Sequence, residues 1–532
     1  MAALRIGVLV VGGGMSGLAA ALFLRQQGVD CLVVDRNTSV SQLLRSTHVS
    51  PRTMELFRTL GIEEDVFGVA DRFVLGKHWC DPDLPPRHLP RAILRAGALA
   101  DIVNDDALVM AEGENDFADI SPTEAVWCGQ DKIEPIMLAE ARRRGARIRF
   151  GTDFVSFQQD ADGVTAVLRD RATGEETTVR ADYLIGADGA HGLVRKELGI
   201  ERRGHGTLGY VLNVLFKADL DTPLAGRRFM ILYLNNRYAP GMLFKLDDDR
   251  WIYGIFGDPR RLDPERISEE ECVGYVRAAT GIKDLVVDVQ TTMGWWIGHG
   301  VADTYRAGRV FLVGDACHVM PPTGGFGANV GVQDAGNLAW KIGAVLHGWA
   351  DDALLDTYEA ERRPVGVETV EQAWMRHMRW SNPGDEASGD EREQTIVTTA
   401  YRYTSAAIAG EPFPEAFGHE LVIDGAPGMR VPHAWLDEGV RVSTVDLTGE
   451  DFLLFGDERW TEAAEQVACG RGVPLRTYPA SAQFRAVAGI GTDGALLVRP
   501  DGFVAWRATG STPDPRAEFA EVLSTITASR SS

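Results

Sequence analysis

The amino-acid sequence predicts an α/β fold in three parts. Its N-terminal region reads as a strand, a glycine-rich turn, a helix and a second strand, which is the start of a parallel sheet covered by helices. From Tyr210 to Phe256 long strands replace this pattern, so we expect a second domain built on a β-sheet. Beyond Leu421 strands and helices alternate again, which predicts a small α/β domain at the C-terminus.

The first motif is the glycine-rich turn. A β-branched apolar strand ends at Val11, and an Ala- and Leu-rich helix follows the turn. In a Rossmann-like unit Gly12 permits the tight turn, Gly14 lets a pyrophosphate approach the backbone, and Gly17 lets helix and strand pack closely. Asp35 ends the next strand, where a carboxylate can accept hydrogen bonds from an adenosine ribose. The N-terminal region therefore predicts a dinucleotide site.

The remaining elements follow from apolar periodicity. Further helices are predicted at Pro51 to Leu60, Lys132 to Gly145 and Ala328 to Leu346. Antiparallel strands joined by turns at Asp162-Gly163 and Thr173-Gly174 are predicted within Phe154 to Arg169 and at Glu176 to Arg180. Further strands are predicted at Val179 to Gly186, Tyr210 to Leu220, Arg228 to Leu234, Gly241 to Leu246, Trp251 to Phe256, Gly308 to Gly314, Phe452 to Phe455, Leu475 to Tyr478, Ala495 to Val498 and Val504 to Arg507. The strands of the second domain are apolar on both faces, so one face would cover helices and the other a ligand. Ser381 to Glu393 is polar and rich in Gly and Asp, which predicts an exposed linker.

Two later glycine motifs extend the dinucleotide hypothesis. Asp188-Gly189 and Gly314-Asp315 each follow a predicted strand. A carboxylate at Asp315 can accept hydrogen bonds from a ribityl hydroxyl, and the helix that starts within Gly325 to Asn329 offers free backbone N–H groups. The positive end of that helix would stabilise the negative charge of a reduced flavin. The three motifs, in this order, predict one non-covalently bound FAD.

Composition excludes several classes of partner. The chain of 532 residues carries a net charge of -22, which argues against nucleic acid and anionic membranes because both need clustered Lys and Arg. Its six cysteines show no C-x-x-C or metal-ligand spacing, so the sequence predicts no metal site and a location in the reducing cytoplasm. Ile6 to Leu24 carries no charge, but the glycine turn interrupts it, so we expect no membrane span.

The chain resembles the single-component FAD-dependent aromatic hydroxylases of the p-hydroxybenzoate hydroxylase type in three segments, Gly12 to Gly17, Asp182 to Arg195 and Gly308 to Lys341. Three other segments are similar to the branch that hydroxylates phenols and aromatic polyketides, which includes aklavinone hydroxylase. These segments are Thr47 to Ile62, Gly204 to Phe216 and Leu497 to Arg507.

The resemblance implies a discontinuous FAD-binding domain of the Rossmann-like, GR2-type fold, with residues 1–80, 125–205 and 300–400. A substrate-binding β-sheet domain, residues 81–124 and 206–299, would be interleaved with it. Residues 401–532 would form a linker and a thioredoxin-like domain without redox cysteines, in agreement with the single Cys469 in that part.

The resemblance also implies the cofactor-binding residues. They are Gly12, Gly14, Met15, Ser16, Gly17, Asp35, Arg36, Arg45, Gln130, Asp315, Pro322, Gly325, Gly327, Ala328 and Asn329. Two positions depart from the pattern of the family. Asp35 stands where Glu is usual, and Gly192 stands where Ser is usual, which weakens the inference that the loop of Gly192 contacts the pyridine nucleotide.

The reaction implied by the resemblance uses NADPH or NADH as co-substrate, O2, and a flavin C4a-hydroperoxide to hydroxylate an aromatic, polyketide-derived phenol in secondary metabolism. A free phenol has a pKa of about 10, so a residue must deprotonate it or bind it through a strong hydrogen bond. The candidates for this catalytic role are Tyr210, Tyr233 and Arg376. His318 follows Asp315 at a position that is structural in the family. The protein would act as a monomer or a homodimer.

Four alternative functions share some of these motifs. Gly204 to Gly209 is a second formal G-x-G-x-x-G match, as in disulfide reductases and Baeyer-Villiger enzymes, but no strand precedes it and no helix follows. A flavin halogenase would carry W-x-W-x-I-P, whose nearest approach here is Trp295 to Gly298. A simple phenol-degrading hydroxylase would share the motifs, and a flavin-less binding protein of the GDP-dissociation-inhibitor type would share the first one.

Overall fold

The computed structural model describes residues 4–41, 46–74, 79–81, 84–103, 107–112, 117–247, 249–381, 390–436 and 441–528. It confirms a mixed α/β fold with several sheets. Arg45 and most of the linker predicted at Ser381 to Glu393 lie outside these residues. Within them, no helix is both long and apolar enough to cross a bilayer, and the cytoplasmic location stays a prediction.

The helices and strands are numbered in chain order. The helices are α1 Met15–Gln26, α2 Pro51–Thr59, α3 Glu63–Val69, α4 Leu99–Val103, α5 Gln130–Arg143, α6 Leu193–Glu197, α7 Asp221–Leu224, α8 Glu269–Thr280, α9 Gly327–Leu346, α10 Asp356–Ser381, α11 Gln394–Thr399, α12 Glu458–Arg471, α13 Ala482–Ala488 and α14 Pro515–Ile526. The strands are β1 Leu4–Val11, β2 Cys31–Val34, β3 His48–Val49, β4 Asp71–Val74, β5 His88–Pro90, β6 Ala92–Ala96, β7 Leu108–Glu112, β8 Val126–Trp127, β9 Arg147–Arg149, β10 Thr152–Asp160, β11 Gly163–Asp170, β12 Glu176–Gly186, β13 Arg202–Lys217, β14 Ile231–Leu234, β15 Gly241–Lys245, β16 Arg250–Phe256, β17 Asp288–Ala302, β18 Arg306–Ala307, β19 Val310–Leu312, β20 His318–Val319, β21 Phe452–Gly456, β22 Leu475–Pro479, β23 Ala495–Val498 and β24 Val504–Ala508.

The first sheet carries the glycine turn. Its main path runs β10-β11-β12-β1-β2-β9, and β19 joins it beside β12. The strands β19, β12, β1, β2 and β9 are parallel, so their carboxyl ends meet at one edge. The sequence predicted two strands at Glu176 to Arg180 and Val179 to Gly186, and this is corrected. They are one strand, β12, which pairs antiparallel with β11 along one part and parallel with β1 along another.

The second sheet runs β20-β17-β13-β16-β15-β14-β6-β7. One face packs on α4 and α8 through Leu212, Leu232 and Val276. The other face is also apolar and contains Val211, Met242 and Ile297. The alternation of β13 produces this arrangement, because Leu212 and Val211 are neighbours in sequence and point to opposite faces. The sheet therefore has two buried faces, as predicted.

The segment Gly204 to Gly209 lies inside β13, within an antiparallel pairing to β17. It does not connect a parallel strand to a helix. The prediction that it is not a second dinucleotide site is therefore confirmed. β13 and β17 extend beyond the predicted limits of the substrate domain, and β20 joins their sheet. The predicted domain boundaries stay a prediction.

A third, small sheet, β3-β8-β4-β5, lies beside the second face of the large one. Contact between the two is direct, since Phe73 of β4 and Trp127 of β8 belong to the same apolar cluster as Met242. The C-terminal unit forms a fourth sheet, β22-β21-β23-β24. Its order of elements, β-α-β-α-β-β-α, is that of the predicted thioredoxin-like domain. Cys469, near the end of α12, is exposed.

A buried charge cluster fixes the C-terminal domain to the rest of the protein. Glu361 of α10 accepts hydrogen bonds from Arg499 of the C-terminal domain at 2.5 and 2.8 Å. It also accepts from Lys341 of α9 at 2.8 Å and from Ser405 at 2.6 Å. Burial alone would raise the pKa of Glu361, but Arg499 and Lys341 more than offset this and hold the pKa well below its usual range. Glu361 is therefore a carboxylate that neutralises two buried cations.

The substitution Glu361→Ala is expected to destabilise the protein by about 3 to 5 kcal/mol, because Lys341 would remain buried without a carboxylate partner and Arg499 would keep only Asp501. Chemical denaturation measures this change. Glu462→Ala, on the exposed face of α12, is the matched control and should stay within about 0.5 kcal/mol of the parent protein. A Glu361→Ala protein as stable as the control would show that the cluster does not hold the domains together.

Candidate active site

The glycine turn leaves its backbone open to a ligand. Gly12 has φ +109°, a conformation that favours glycine, and a Cβ on Gly17 would overlap the Gly12 carbonyl oxygen. Gly14 is the N-cap of α1, and a Cβ there would meet only Glu134 Oε1, at 3.5 Å. The N-terminus of α1 therefore presents backbone N–H groups and the positive end of the helix dipole at the turn. Met15 is buried in the first turn of α1.

Asp35 is held against the same turn. Its Oδ2 accepts a hydrogen bond from Gly13 N at 2.7 Å, and its Oδ1 accepts from the backbone and side-chain nitrogens of Asn37 at 2.7 and 2.9 Å. Oδ1 thus already accepts two hydrogen bonds, whereas Oδ2 has a second lone pair available to a ligand hydroxyl. The side chain of Arg36 is exposed next to it. The predicted contacts of Asp35 and Arg36 with the cofactor stay predictions.

The sequence analysis missed a buried carboxylate at this turn. Glu134 of α5 is fully buried beside Gly14, and its Oε2 accepts a hydrogen bond from Ser41 N at 2.8 Å. Gln130 donates to Glu134 Oε1, so the side-chain nitrogen of Gln130 is already bound by protein. Glutamate on a helix is ordinarily a solvated residue, and only the fold shows that this one is buried. The predicted contact of Gln130 with FAD stays a prediction.

The second part of the predicted cofactor site is the turn that follows β19. Gly314–Ala316 forms one 3-10 turn, and the Asp315 side chain is exposed although residues on both sides are buried. Arg202 donates a hydrogen bond to the Asp315 carbonyl oxygen at 2.8 Å, which fixes the backbone of the turn. A Cβ on Gly314 or on Gly331 would overlap the Ser16 hydroxyl. Ser16 of α1 therefore packs directly between this turn and α9.

A buried ion pair between Asp334 and Arg362 stabilises the turn at Gly314 to Ala316. Asp334 of α9 accepts hydrogen bonds from Gly314 N at 3.0 Å, His318 Nε2 at 2.8 Å and Arg362 Nε at 2.8 Å. Burial would raise the pKa of Asp334, but the charge of Arg362 and the bond from His318 lower it below the ordinary value. The contacts of His318 are with protein groups, which agrees with the structural role expected for it.

The start of α9 lies next to this turn. Pro322 is exposed, and Gly325, Gly327 and Ala328 are half-buried, so this segment presents its backbone to the site. The Asn329 side chain is buried and engaged within the protein. Its Oδ1 accepts from Ser50 N at 2.9 Å, and its Nδ2 donates to His48 O at 2.9 Å and to Gly325 O at 2.7 Å. Asn329 can therefore offer a ligand only its backbone N–H, which belongs to the first turn of the helix.

His48, a residue that the sequence analysis did not single out, lies between the start of α9 and the second sheet. A Cβ on Gly325, which has φ +67°, would lie 2.9 Å from His48 Cβ. On its other side the His48 ring lies 6.3 Å from the ring of Phe73. Burial, with the positive charge of Arg91, lowers the pKa of His48 to about 3, although the backbone of Gly325 opposes the shift. The imidazole is therefore neutral at physiological pH.

We call the second face of the large sheet, with the side chains of the small sheet that cover it, the aromatic face. Its aromatic residues are Phe73, Phe117, Trp127, Tyr233, Phe244, Phe256 and Trp295. The Arg91 guanidinium lies 5.2 Å from the ring centre of Phe73 and 5.9 Å from that of Phe117. Its burial lowers the pKa of Arg91. The aromatic face thus combines a large apolar surface with one half-buried cation, Arg91, next to His48.

The structure places the three predicted catalytic residues apart. Tyr210 packs on the face that covers α4 and α8, and its hydroxyl donates to Leu262 O at 3.1 Å. Tyr233 packs on the aromatic face, where its ring lies 5.5 Å from that of Trp380. Tyr210 and Tyr233 are thus on opposite faces of one sheet, and the placement gives no support to a catalytic role of Tyr210.

Arg376 is buried in α10 and lies 5.2 Å from the ring centre of Phe326, the residue before α9. It donates to Gln372 O and Oε1 at 3.0 and 2.9 Å, and to the carbonyl oxygen of Arg392. Burial lowers the pKa of Arg376 to about 10, so it remains charged at neutral pH. Its contacts hold the start of α9 rather than reach the aromatic face.

The features of the site fit an FAD. The glycine turn admits a pyrophosphate, Asp35 and Asp315 offer carboxylates at opposite ends, and the start of α9 offers a helix N-terminus. A model of the FAD binding domain family matches residues 5–373, more than half of the chain. The chain belongs to the FAD-dependent aromatic-ring hydroxylases. A model of the aromatic-ring hydroxylase C-terminal domain also matches this hydroxylase, at residues 424–529.

Relatives of this hydroxylase are named as monooxygenases. It is 50% identical over 536 residues to the tetracenomycin B2 monooxygenase-dioxygenase of Streptomyces olivaceus, with 99% of each chain covered. It is 46% identical to the tetracenomycin A2 monooxygenase-dioxygenase of Streptomyces glaucescens, with 98% of this chain and 97% of the other covered. The crystal structure of a ternary complex of aklavinone-11 hydroxylase with FAD and aklavinone is similar, with a TM-score of 0.87, 34% identity, and coverage of 99% and 100%.

These comparisons decide between the classes that the sequence left open. This hydroxylase is an enzyme, an FAD-dependent monooxygenase. The hypothesis of a flavin-less binding protein is wrong. The resemblance to aromatic hydroxylases with a C-terminal thioredoxin-like domain is confirmed.

Asp315→Ala is expected to weaken FAD binding about 10- to 100-fold, because a hydrogen bond to a charged group contributes about 1.5 to 3 kcal/mol. Flavin fluorescence titration of the protein freed of its flavin measures the dissociation constant. Asp284→Ala, at an exposed position of the substrate domain, serves as control and should bind FAD like the parent protein. Equal affinities of the two variants would refute the role of Asp315.

The lowered pKa of His48 also predicts that the stability of the protein depends on pH. Its pKa is about 3 in the folded protein and about 6.5 when unfolded, so between these values only the unfolded chain binds the proton. The neutral His48 therefore supports the free energy of unfolding above pH 6.5. As the pH falls from 6.5 toward 3, this free energy decreases by up to about 1.4 kcal/mol per pH unit.

His48→Leu should accordingly remove about 2 kcal/mol of the loss in stability between pH 7 and pH 5. Urea denaturation at the two pH values, for the parent protein and the variant, gives this difference. His191→Leu, at an exposed position, is the control. If His48→Leu and the parent protein lose the same stability over this range, His48 is not a buried neutral histidine.

Proposed function

We propose that this hydroxylase uses NAD(P)H and O2 to hydroxylate a polycyclic phenol of the tetracenomycin type. The observation that carries the proposal is the 50% identity, over nearly the whole of both chains, to a tetracenomycin B2 monooxygenase-dioxygenase. That name joins two activities, and we extend both to this protein. The aromatic face agrees with a flat, polycyclic substrate, since it combines seven aromatic side chains in one apolar surface.

Bound FAD would supply the redox chemistry, in which NAD(P)H provides electrons and O2 provides the oxygen atom for the ring. The residues of this chain hold and orient it. The turn at Gly12 to Gly17 would bind the pyrophosphate, Asp35 the adenosine ribose and Asp315 the ribityl chain. The start of α9 would place backbone N–H groups at the edge of the ring system, where negative charge develops.

The substrate would lie between the start of α9 and the aromatic face. Phe73, Phe117 and Phe244, which belong to one apolar cluster, would exclude water there and so limit the release of oxygen as peroxide. Burial raises the pKa of Tyr233, so its hydroxyl stays protonated and can donate a hydrogen bond to a substrate oxygen. Arg376 would act indirectly, through Phe326. We retain Tyr233 as a candidate for substrate contact and do not retain Tyr210.

The test is the oxidation of NADPH and of NADH by the FAD-loaded protein, with and without a tetracenomycin-type phenol, in isotopically labelled O2. We expect the substrate to stimulate oxidation and the product to contain labelled oxygen. A panel of simple phenols tests the alternative of a phenol-degrading enzyme, which predicts faster turnover of these compounds than of polyketides. Oxidation that yields only peroxide with every compound would overturn the proposal. Size-exclusion chromatography with light scattering of the same protein decides between the predicted monomer and homodimer.

A further inference from the structure

The His48 ring has an unusual environment for a buried polar group. It is 6% exposed, and neither ring nitrogen makes a hydrogen bond of good geometry with a group in the described part of the chain. A buried polar group without a partner costs about 1 to 3 kcal/mol. Neutral imidazole offers one donor and one acceptor, so a ligand with a hydroxyl group can satisfy it.

The backbone that carries His48 is fixed on two sides. Its carbonyl oxygen accepts a hydrogen bond from Asn329 Nδ2 at 2.9 Å, so it is tied to the first turn of α9. On the other side His48 pairs with Trp127 of β8, whose ring belongs to the aromatic face. The side chain therefore has a set position between the predicted cofactor edge and the predicted substrate surface.

The neighbours of the ring define the ligand chemistry. Gly325, at the predicted edge of the isoalloxazine, contacts one side of His48, and Phe73 lies on the other. Burial, with the positive charge of Arg91 as a second cause, keeps the imidazole unprotonated, so that one nitrogen retains its lone pair. Arg91 would also favour a hydroxyl oxygen that carries partial negative charge. These groups together suit the hydroxyl of an aromatic ring.

We propose that His48 binds the substrate by accepting a hydrogen bond from a phenolic hydroxyl, and that it thereby sets which ring carbon faces the flavin. The inference rests on the proposed function and deepens it, since it assigns the residue that recognises the hydroxyl. The hydroxyl keeps its proton in this complex and shares it with the imidazole nitrogen, which increases the electron density of the ring. His48 is thus a substrate-contacting residue that sets the position of hydroxylation.

The test is a cycle of two proteins and two ligands. The parent protein and His48→Leu are titrated with the tetracenomycin-type phenol and with its O-methyl ether, and the change of the flavin absorption gives each dissociation constant. We expect the parent protein to bind the phenol about 10-fold or more tightly than the ether, and His48→Leu to bind both alike. His48→Gln keeps an acceptor and should restore part of the preference. Equal preference for the phenol in the parent protein and in His48→Leu would overturn the inference.

Two further readouts separate this role from a structural one. His48→Leu should retain FAD at the parental stoichiometry, and it should yield more peroxide per NADPH or a product hydroxylated at another carbon. A His48→Leu protein with parental products and coupling counts against the inference even if the parent protein hydroxylates the polyketide, and the proposed function then stands. If the parent protein binds no polyketide phenol, the proposed function and this inference both fail. Should His48→Leu not fold, His48→Gln is compared with the parent protein: a reduced preference for the phenol over the ether with intact FAD supports the inference, and a fully parental preference with parental products contradicts it.

Discussion

The buried ion pair between Asp334 and Arg362 is the interaction on which the site depends. Both side chains are fully buried, and their contact joins α9 to α10 at 2.8 Å. The same carboxylate accepts from Gly314 N and from His318, while Arg362 donates to Val330 O at 3.2 Å and to the Tyr403 hydroxyl at 3.1 Å. One ion pair thus fixes the turn at Gly314 to Ala316, the start of α9 at Val330, and the segment around Tyr403 that leads to the C-terminal domain. Because the charges neutralise each other and their remaining donors and acceptors are satisfied, the pair can persist without water.

Close backbone packing makes the second contribution. Ser16 lies where any side chain on Gly314 or Gly331 would collide with it, so α1, the turn after β19 and α9 approach one another closely. The N-terminal ends of α1 and α9 then meet near the same edge of the first sheet. Two helix N-termini at one edge favour a ligand with negative charge at both ends, such as a pyrophosphate joined to a reduced flavin. The cluster around Glu361 extends the same kind of buried charge pairing to the C-terminal domain.

The large sheet separates structural from binding roles by its two faces. The face with Tyr210 packs on α4 and α8, and it is an ordinary protein core. The face with Tyr233 is covered by the small sheet, which also carries His48 on β3. The aromatic face therefore adjoins the start of α9 through His48. In the proposed complex the apolar sheet would bind the ring system of the substrate, and the imidazole of His48 would bind its hydroxyl group.

The sequence alone determined the features that depend on local interactions. Glycines at positions 12 and 17, apolar strands and the acid at Asp35 specify a strand-turn-helix unit within a short stretch of chain. This unit and the helices α2, α5 and α9 were predicted, whereas the long helix α10 was not. The tertiary structure decided the rest, because it depends on which distant residues meet. β12 is recognised as one strand only when both of its partner strands are known. The assignment of Tyr210 and Tyr233 to opposite faces requires the complete sheet. The burial of Glu134 depends on its contact with Gly14, which lies 120 residues earlier in the chain. The environment of His48 is formed by residues near positions 73, 91 and 325, and no local pattern in the sequence contains them.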